Sequence, residues 1–330
     1  MGAPKSPYSL RFNAEDGPIR VAVSACLLGQ LVRWDGTHRR DAWVADVLGA
    51  VFEWVPVCPE VEVGLGVPRP PIRLVAGADG PRAVGVDHPE LDATGRLAKH
   101  GRAVARALDD VCGYILKSDS PSCGMAGVQV YRETGGRLSR QGVGVYAQAL
   151  MAARPGLPIE EEGRLGDAAL RENFVERVFA YRRWLALRRE GFSRAKLFAF
   201  HRAHTLTLMA HGGQPPEALG RLVATASQRP LEELAAVYLR EFMAALKRPA
   251  TRTSHTRVLT RLAGYLKREL GAEDRERLAQ TIAGYRLGSV PLIVPINLLR
   301  QHFLQHPHPE AVSQVYLEPH PAEAALRSWL

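Results

Sequence analysis

The chain contains no apolar run approaching the ~20 residues that a membrane-spanning helix needs. Its opening segment, MGAPKSPYSLRFNAEDG, has none of the apolar core that a secretory signal requires, and it predicts a short polar arm. Both absences argue against a membrane partner and against export. We therefore expect a cytoplasmic protein.

Cysteine is scarce as well, with four among 330 residues. In a cytoplasmic chain of this length, a few cysteines indicate metal binding or catalysis before disulfides. Core material, in contrast, is plentiful: 46% of the residues are hydrophobic and 23% are charged, which excludes an intrinsically disordered chain. At roughly 150 residues per domain, the length predicts about two domains.

The net charge of +9 is concentrated in the second half of the chain. Residues 1–170 contain 19 Lys and Arg against 20 Asp and Glu, whereas residues 171–330 contain 24 against 14. This asymmetry predicts a domain boundary near residue 165. A basic domain can bind an anionic partner such as tRNA, although solvated, arginine-rich helix surfaces explain the same excess.

The first half alternates short apolar runs with helical patterns. The segments IRVAVSAC (19–26), VFEWVPVC (51–58) and CGYILKS (112–118) predict buried parallel strands, and IRLVA with AVGV predicts a hairpin. Helical patterns lie between them, as in LAKHGRAVARALDDV. This order predicts a three-layer, Rossmann-like α/β domain over residues 18–165. Residues 166–330 show helical periodicity almost throughout and predict an all-α domain.

Three cysteines follow the predicted strands. Cys26 and Cys58 end the first two strands, and Cys123 lies in the loop KSDSPSCG after the third. Because the carboxyl ends of parallel strands meet at one edge of a sheet, we expect these three to converge. Cys112 opens the third strand, and a strand of about six residues spans ~20 Å, so Cys112 should lie at the opposite edge.

Three converging thiolates are soft ligands that suit zinc or an iron–sulfur cluster. Their spacing matches no compact C-x₂-C array, and free cysteines are often simply buried in a core. The turn residues that flank each of the three favour a site over a core position. From spacing alone, both metals and the structural interpretation stay open.

The segments SACLLG with RWDG, PVCPEVEVGLGVPRPP and KSDSPSCG resemble the signatures of the thiouracil desulfidase family, over roughly residues 18–158. The resemblance implies a [4Fe-4S] cluster held by Cys26, Cys58 and Cys123, with a fourth iron open to the sulfur of a thiocarbonyl substrate. It also implies a small substrate, a thiolated nucleobase or nucleoside, from which sulfur leaves as hydrosulfide.

The predicted chemistry needs a group that activates water, and Glu60 lies two residues beyond Cys58. We predict Glu60 and Ser120 as catalytic residues, with Ser122 and Asp35 as alternatives that assist Glu60. Turn chemistry also explains a serine before proline and an Asp-Gly pair. Lys117 and Arg69 are candidates for holding a substrate carbonyl or offsetting cluster charge, unless both are solvated.

The second half resembles the YbgA-like helical family, on the segments SRAKLFAFHRAHTLTLMAHG and SVPLIVPINLLRQHF. That family implies no mechanism. His201, His204 and His211 fall on one face of the first segment, where buried histidines are a commoner arrangement than a metal site. Three functions are therefore weighed: an iron–sulfur desulfidase, a tRNA-binding protein and a zinc-binding structural protein.

Overall fold

The computed structural model describes residues 17–212, 215–225, 229–319 and 323. The chain divides into two compact units, with the division between Phe174 and Val175. The predicted boundary at residues 165 and 166 stays a prediction. Within the described ranges, no helix combines the length and apolarity that crossing a bilayer requires.

The described part of the first unit contains eight strands, in two sheets. They are β1 (Ile19–Ser24), β2 (Phe52–Val57), β3 (Ile72–Val75), β4 (Arg82–Gly85), β5 (Tyr114–Leu116), β6 (Val128–Tyr131), β7 (Arg137–Gly142) and β8 (Ile159–Glu161). The first sheet is parallel throughout, in the order β2-β1-β5-β8. The two central strands β1 and β5 are apolar and buried along almost their whole length, as a sheet covered on both faces requires. The predicted parallel α/β domain is thereby confirmed.

The second sheet has the order β4-β3-β6-β7 and is mixed. Strands β3 and β4 form the predicted antiparallel hairpin, β3 pairs in parallel with β6, and β6 pairs antiparallel with β7. Strands β6 and β7 were not predicted, because β6 has only four residues and β7 is a mostly exposed polar strand, RLSRQG. A four-residue strand and a polar edge strand such as β7 both give little hydrophobic periodicity to detect.

Helices α1 (Pro59–Glu62), α2 (Thr94–Ala107) and α3 (Val145–Ala153) complete this unit, with 3₁₀ and π turns over residues 25–28, 43–50 and 164–166. Helices α2 and α3 pack closely because α2 presents Gly101 at the contact. A Cβ atom there would lie 2.6 Å from the carbonyl oxygen of Tyr146, so any larger residue would push the helices apart.

The second unit is helical, as predicted. Its helices are the greater part of α4 (Ala168–Arg189), α5 (Arg194–Ala203), α6 (Thr205–Ala210), α7 (Pro215–Ala224), α8 (Leu231–Leu246), α9 (Arg252–Tyr265), α10 (Ala272–Leu287), α11 (Ile293–Gln305) and α12 (Pro309–Val312). One core cluster joins apolar side chains of α6, α9, α10 and α11. An aromatic cluster, built around Trp184 and Phe200, packs α4 against α5 and α8.

One predicted helix is wrong in detail. The segment SRAKLFAFHRAHTLTLMAHG is two helices, α5 and α6, that meet at His204. His204 has φ −102° and ψ 5°, outside the helical range, and its backbone NH bonds to the carbonyls of Phe200 and His201 together. Periodicity cannot reveal such a break, because the residues on either side keep their buried face.

Candidate active site

The carboxyl ends of β1, β2 and β5 open onto one cavity of about 260 Å³. Parallel strands bring these ends to the same edge of the sheet, where ligand sites of such folds form. The cavity is lined by all of the residues that the sequence predicts for the site: Cys26, Cys58, Glu60, Ser120 and Cys123. The structure therefore brings these five together, while their chemical roles stay predictions.

Two of the cysteines are placed by short turns directly after a strand. Cys26 lies in the 3₁₀ turn Ala25–Leu28, which ends at Gly29 with a φ of 92°, a conformation that glycine adopts without strain. Cys58 precedes α1 as its N-cap residue, and Pro59 at the first helical position fixes the direction of the turn. Both sulfurs are thus set by local backbone geometry at the sheet edge.

Cys123 lies in a loop that close backbone packing holds in place. A Cβ atom on Gly124 would lie 2.3 Å from a methyl carbon of β6, and one on Gly144 would lie 2.5 Å from the carbonyl oxygen of Ser122. Both positions therefore require glycine. The loop packs closely against neighbouring segments of the same chain on two sides, and this packing fixes the position of Cys123 at the cavity.

The three thiols lie in buried surroundings and influence one another. Burial raises the pKa of Cys26 to about 11, raises the pKa of Cys58, and raises the pKa of Cys123 well above its ordinary value. After burial, negative charge on Cys58 raises the pKa of Cys26, and negative charge on Glu60 and Cys58 raises that of Cys123. Without metal, the site holds neutral thiols at neutral pH, so metal binding must displace protons.

The metal-free protein should lose stability as the pH rises above 9.0, the ordinary pKa of a thiol. Between pH 9.0 and about 11 the unfolded chain has released the Cys26 proton that the folded chain keeps. Linkage then lowers the free energy of unfolding by about 1.4 kcal/mol per pH unit for this thiol. Guanidinium unfolding of wild type and Cys26→Ser at several pH values measures the effect: the variant should lose stability less steeply, and equal slopes would contradict the expectation.

Glu60 is held on both carboxylate oxygens. The Arg69 guanidinium donates to Oε2 from Nε at 2.9 Å and from Nη2 at 2.7 Å, and the Ser122 hydroxyl donates to Oε1. The Arg69 side chain is 3% exposed and Glu60 is 14% exposed, so the pair is shielded from solvent on the arginine side. Glu60 is consequently a fixed carboxylate at the cavity wall, not an exposed turn residue.

Ser120 and Ser122 form a short hydrogen-bonded chain to this carboxylate. Their hydroxyl oxygens lie 3.1 Å apart, and Ser120 Oγ also accepts from the backbone NH of Ser122 at 3.3 Å and of Cys123 at 3.0 Å. Ser120 lines the cavity, whereas Ser122 is completely buried. Ser120 therefore faces the site and organises the loop, and Ser122 is the serine that contacts Glu60.

Comparison with known proteins gives a match for each half of the chain. Residues 21–162 match the family model described as 2-thiouracil desulfurase, and residues 206–321 match one described as a protein of unknown function, DUF1722. Over residues 21–162, the chain is thus similar to the 2-thiouracil desulfurase family. The resemblances drawn from the motifs, to that family and to the YbgA-like family, are confirmed.

Two individual proteins resemble it. Uncharacterized protein YbgA of Escherichia coli (strain K12) is 29% identical over 152 residues, which are 46% of this chain and 90% of YbgA. The solved structure of a [4Fe-4S]-dependent thiouracil desulfidase, TudS, is 33% identical, covering 44% of this chain and 93% of its own, with a TM-score of 0.35. None of these matches is described as binding nucleic acid, and a tRNA partner stays a prediction.

Asp35 does not line this cavity. Its side chain is exposed and accepts from the backbone NH of Thr37 at 3.1 Å and from the Thr37 hydroxyl at 2.6 Å. These hydrogen bonds lower the pKa of Asp35, and they identify its carboxylate as the stabilising group of a turn. The structure therefore favours the turn interpretation over a catalytic one.

The sequence did not decide whether Lys117 and Arg69 are solvated. In the structure, both form ion pairs. Lys117 donates from Nζ to Glu162 and, at 2.9 Å, to the Ser118 hydroxyl, and Glu162 also accepts from the Ser118 backbone NH at 2.8 Å. Glu162 was not predicted from the sequence. It follows β8 directly, so recognising that three-residue strand would have placed it at the same sheet edge.

Ser24 was also missed. Its hydroxyl oxygen accepts from the backbone NH of Lys117 at 3.0 Å. Hydrogen bonding by Ser24 lowers the pKa of Cys123 against the larger effect of burial. Ser24 is the last residue of β1, two positions before Cys26. Its position at the end of a strand, which led to the prediction of the cysteines, also indicates Ser24.

Cys112 lies away from this site. It is fully buried, its backbone NH donates to the carbonyl of Arg20 at 2.8 Å, and its sulfur lies 3.7 Å from the carbonyl oxygen of Asp110. Arg20 is near the start of β1, whereas Cys26 follows its end. The structure thus places Cys112 at the opposite edge of the sheet.

The three histidines of the helical unit are buried and bind separate partners. His201 contacts the Tyr238 hydroxyl at 3.1 Å, His204 contacts the Phe200 carbonyl at 2.8 Å, and His211 Nε2 contacts a carboxylate oxygen of α4 at 2.9 Å. Burial lowers the pKa of His204 to about 3, so its ring is neutral. Across the described ranges, no three His, Cys, Asp or Glu side chains surround a position for a single metal ion.

Proposed function

We propose that this protein is an iron–sulfur-dependent desulfidase that removes sulfur from a thiolated nucleobase or a related thiocarbonyl compound as hydrosulfide. The observation that carries the proposal is the meeting of three cysteines with an arginine-bound carboxylate, Glu60, on one cavity. The match of residues 21–162 to the 2-thiouracil desulfurase family model supports the same reaction.

The donor set fits a cluster held by Cys26, Cys58 and Cys123. All three are free thiols, they line one cavity, and the described lining contains no fourth cysteine. Soft thiolate ligands are those that iron–sulfur clusters require. A [4Fe-4S] cluster with three protein ligands supplies a thiophilic Lewis acid at its remaining iron, to which the substrate sulfur can bind.

The overall reaction exchanges sulfur for oxygen without a change of oxidation state. The oxygen of water bonds to the thiocarbonyl carbon, the carbon–sulfur bond breaks, and the products are a carbonyl, hydrosulfide and one proton. Glu60 holds the attacking water and accepts its proton, which is general base catalysis by a positioned carboxylate. Arg69 donates two hydrogen bonds to Oε2 and Ser122 donates one to Oε1, and together they fix the orientation of the carboxylate at the cavity.

Metal analysis of anaerobically purified and reconstituted protein tests the proposal. We expect a brown protein with about four iron atoms and four sulfides per chain, which releases sulfide from 2-thiouracil or 4-thiouracil. Testing 4-thiouridine beside 4-thiouracil separates a nucleoside substrate from a free base. A colourless protein that contains one zinc and no iron would instead support the zinc-binding alternative and refute the desulfidase.

A further inference from the structure

Three cationic side chains line the cavity described above, and two of them form ion pairs with carboxylates. Arg69 is hydrogen-bonded to Glu60, and Lys117 to Glu162. The third, Arg33, has no comparable carboxylate partner among the described residues. The cavity therefore offers one cation that has no hydrogen-bonded carboxylate partner among the described residues.

The Arg33 guanidinium has an N–H group without a hydrogen-bond acceptor among the described residues. Its Nε atom is buried, yet within the described chain it donates to no acceptor. The nearest carboxylate oxygen, Oδ1 of Asp35, is 3.8 Å away and already accepts two hydrogen bonds from Thr37. A buried, unpaired N–H is costly unless a ligand supplies its acceptor.

Trp34 places an open aromatic surface beside this arginine. Its residue surface is 43% exposed, and it lines the same cavity. An exposed tryptophan on a cavity wall offers a planar apolar face for a planar ligand.

The backbone that carries both side chains is fixed from within the site. Arg69 donates from its backbone NH to the Trp34 carbonyl at 2.9 Å and from Nη1 to the Val32 carbonyl at 3.0 Å. Arg69, which anchors the Glu60 carboxylate, therefore also sets the position of Arg33 and Trp34. Such shared positioning is expected where one ligand must meet all of these groups at once.

We propose that Arg33 and Trp34 form the recognition surface for a planar heterocycle that bears an exocyclic carbonyl oxygen in addition to its thiocarbonyl. The ring stacks on Trp34, and Arg33 donates to the carbonyl oxygen, which orients the thiocarbonyl carbon toward Glu60. This inference rests on the proposed desulfidase function and assigns the residues that recognise its substrate.

The first experiment compares two substrates that differ in the recognised oxygen. 4-Thiouracil has a second carbonyl, and pyrimidine-4-thione lacks it. Wild-type holoprotein should prefer 4-thiouracil in kcat/KM by about 10- to 100-fold, the scale of one charge-assisted hydrogen bond. Arg33→Gln should erase most of this preference by raising KM for 4-thiouracil, while the iron content stays unchanged.

Arg39→Gln is the matched control, because Arg39 is an exposed arginine six residues away that does not line the cavity. It should keep the wild-type substrate preference. If Arg33→Gln loses iron and acts equally poorly on both substrates, Arg33 serves the cluster and the recognition inference is wrong. An unchanged preference in Arg33→Gln would also overturn it.

The second experiment measures binding without turnover. Calorimetric titration of holoprotein with uracil should show about tenfold or greater weakening in Trp34→Ala, the scale of base–aromatic stacking, and near-normal binding in Trp34→Tyr. Equal binding in all three proteins would refute stacking. If wild type binds uracil through these residues but releases sulfide from no thiolated base, the recognition surface stands and the proposed reaction fails.

Discussion

Replacing Cys123 with serine should empty the cluster site and abolish desulfidation. We expect iron to fall from about four atoms per chain to nearly none, and sulfide release to fall by ~1,000-fold or more, since a Lewis-acid metal contributes several kcal/mol to such a reaction. Cys123 is the sharpest choice, because its sulfur is buried beside both Cys26 and Cys58. Iron analysis, the visible spectrum and sulfide release after anaerobic reconstitution measure the effect.

Cys112→Ser is the matched control, since Cys112 is the cysteine at the other edge of the sheet. It should keep full iron content and wild-type turnover. Loss of iron in this variant together with retention in Cys123→Ser would refute the ligand assignment. Similar losses in both variants would point to unfolding, which circular dichroism of the two apoproteins distinguishes from loss of a ligand.

The convergence of the cysteines could be predicted because it follows from topology alone. Cys26 and Cys58 each follow a strand, and the parallel order of β1 and β2 brings both to one edge whatever the intervening chain does. The same reasoning separates Cys112, which precedes β5 by two residues. Sheet topology is a long-range constraint that a short sequence pattern can reveal.

The partners of the site residues could not be predicted in the same way. Glu162 reaches Lys117 across 45 positions, and its strand β8 has three residues, too few to show a period of two. Similarly, Ser122 is the contact of Glu60, although Ser120 precedes the proline and was preferred. Which of two alternating hydroxyls turns inward depends on tertiary packing, which no local pattern specifies.

The position of Arg33 shows what sequence reasoning leaves open even in a motif that it detects. The segment RWDG supports the family resemblance, and Asp35 is the residue in it that resembles an acid catalyst. In the structure the Asp35 carboxylate stabilises its own turn, while Arg33 and Trp34 line the cavity. The motif thus identifies the segment, but only the fold determines which of its side chains line the cavity.

Glu60→Gln should reduce desulfidation by at least ~100-fold while the cluster is retained, because general base catalysis by a positioned group contributes on this scale. Glutamine preserves the shape of the site: its carbonyl oxygen can accept from Arg69, and its amide can donate to the Ser122 hydroxyl, which then acts as acceptor. The variant loses only the charge and basicity of the carboxylate. The loss should therefore fall on kcat, with iron content and uracil binding unchanged.

Ser122→Ala gives the matched comparison, because Ser122 contacts Glu60 without lining the cavity. It leaves the carboxylate and its arginine in place but removes the hydrogen bond on Oε1, so a loss of about tenfold is expected for this positioning role. Near-normal turnover of Glu60→Gln would remove Glu60 from the chemical step and assign the base to another group at the cavity. A graded loss, large for Glu60→Gln and small for Ser122→Ala, identifies the carboxylate as the base and the serine as its support.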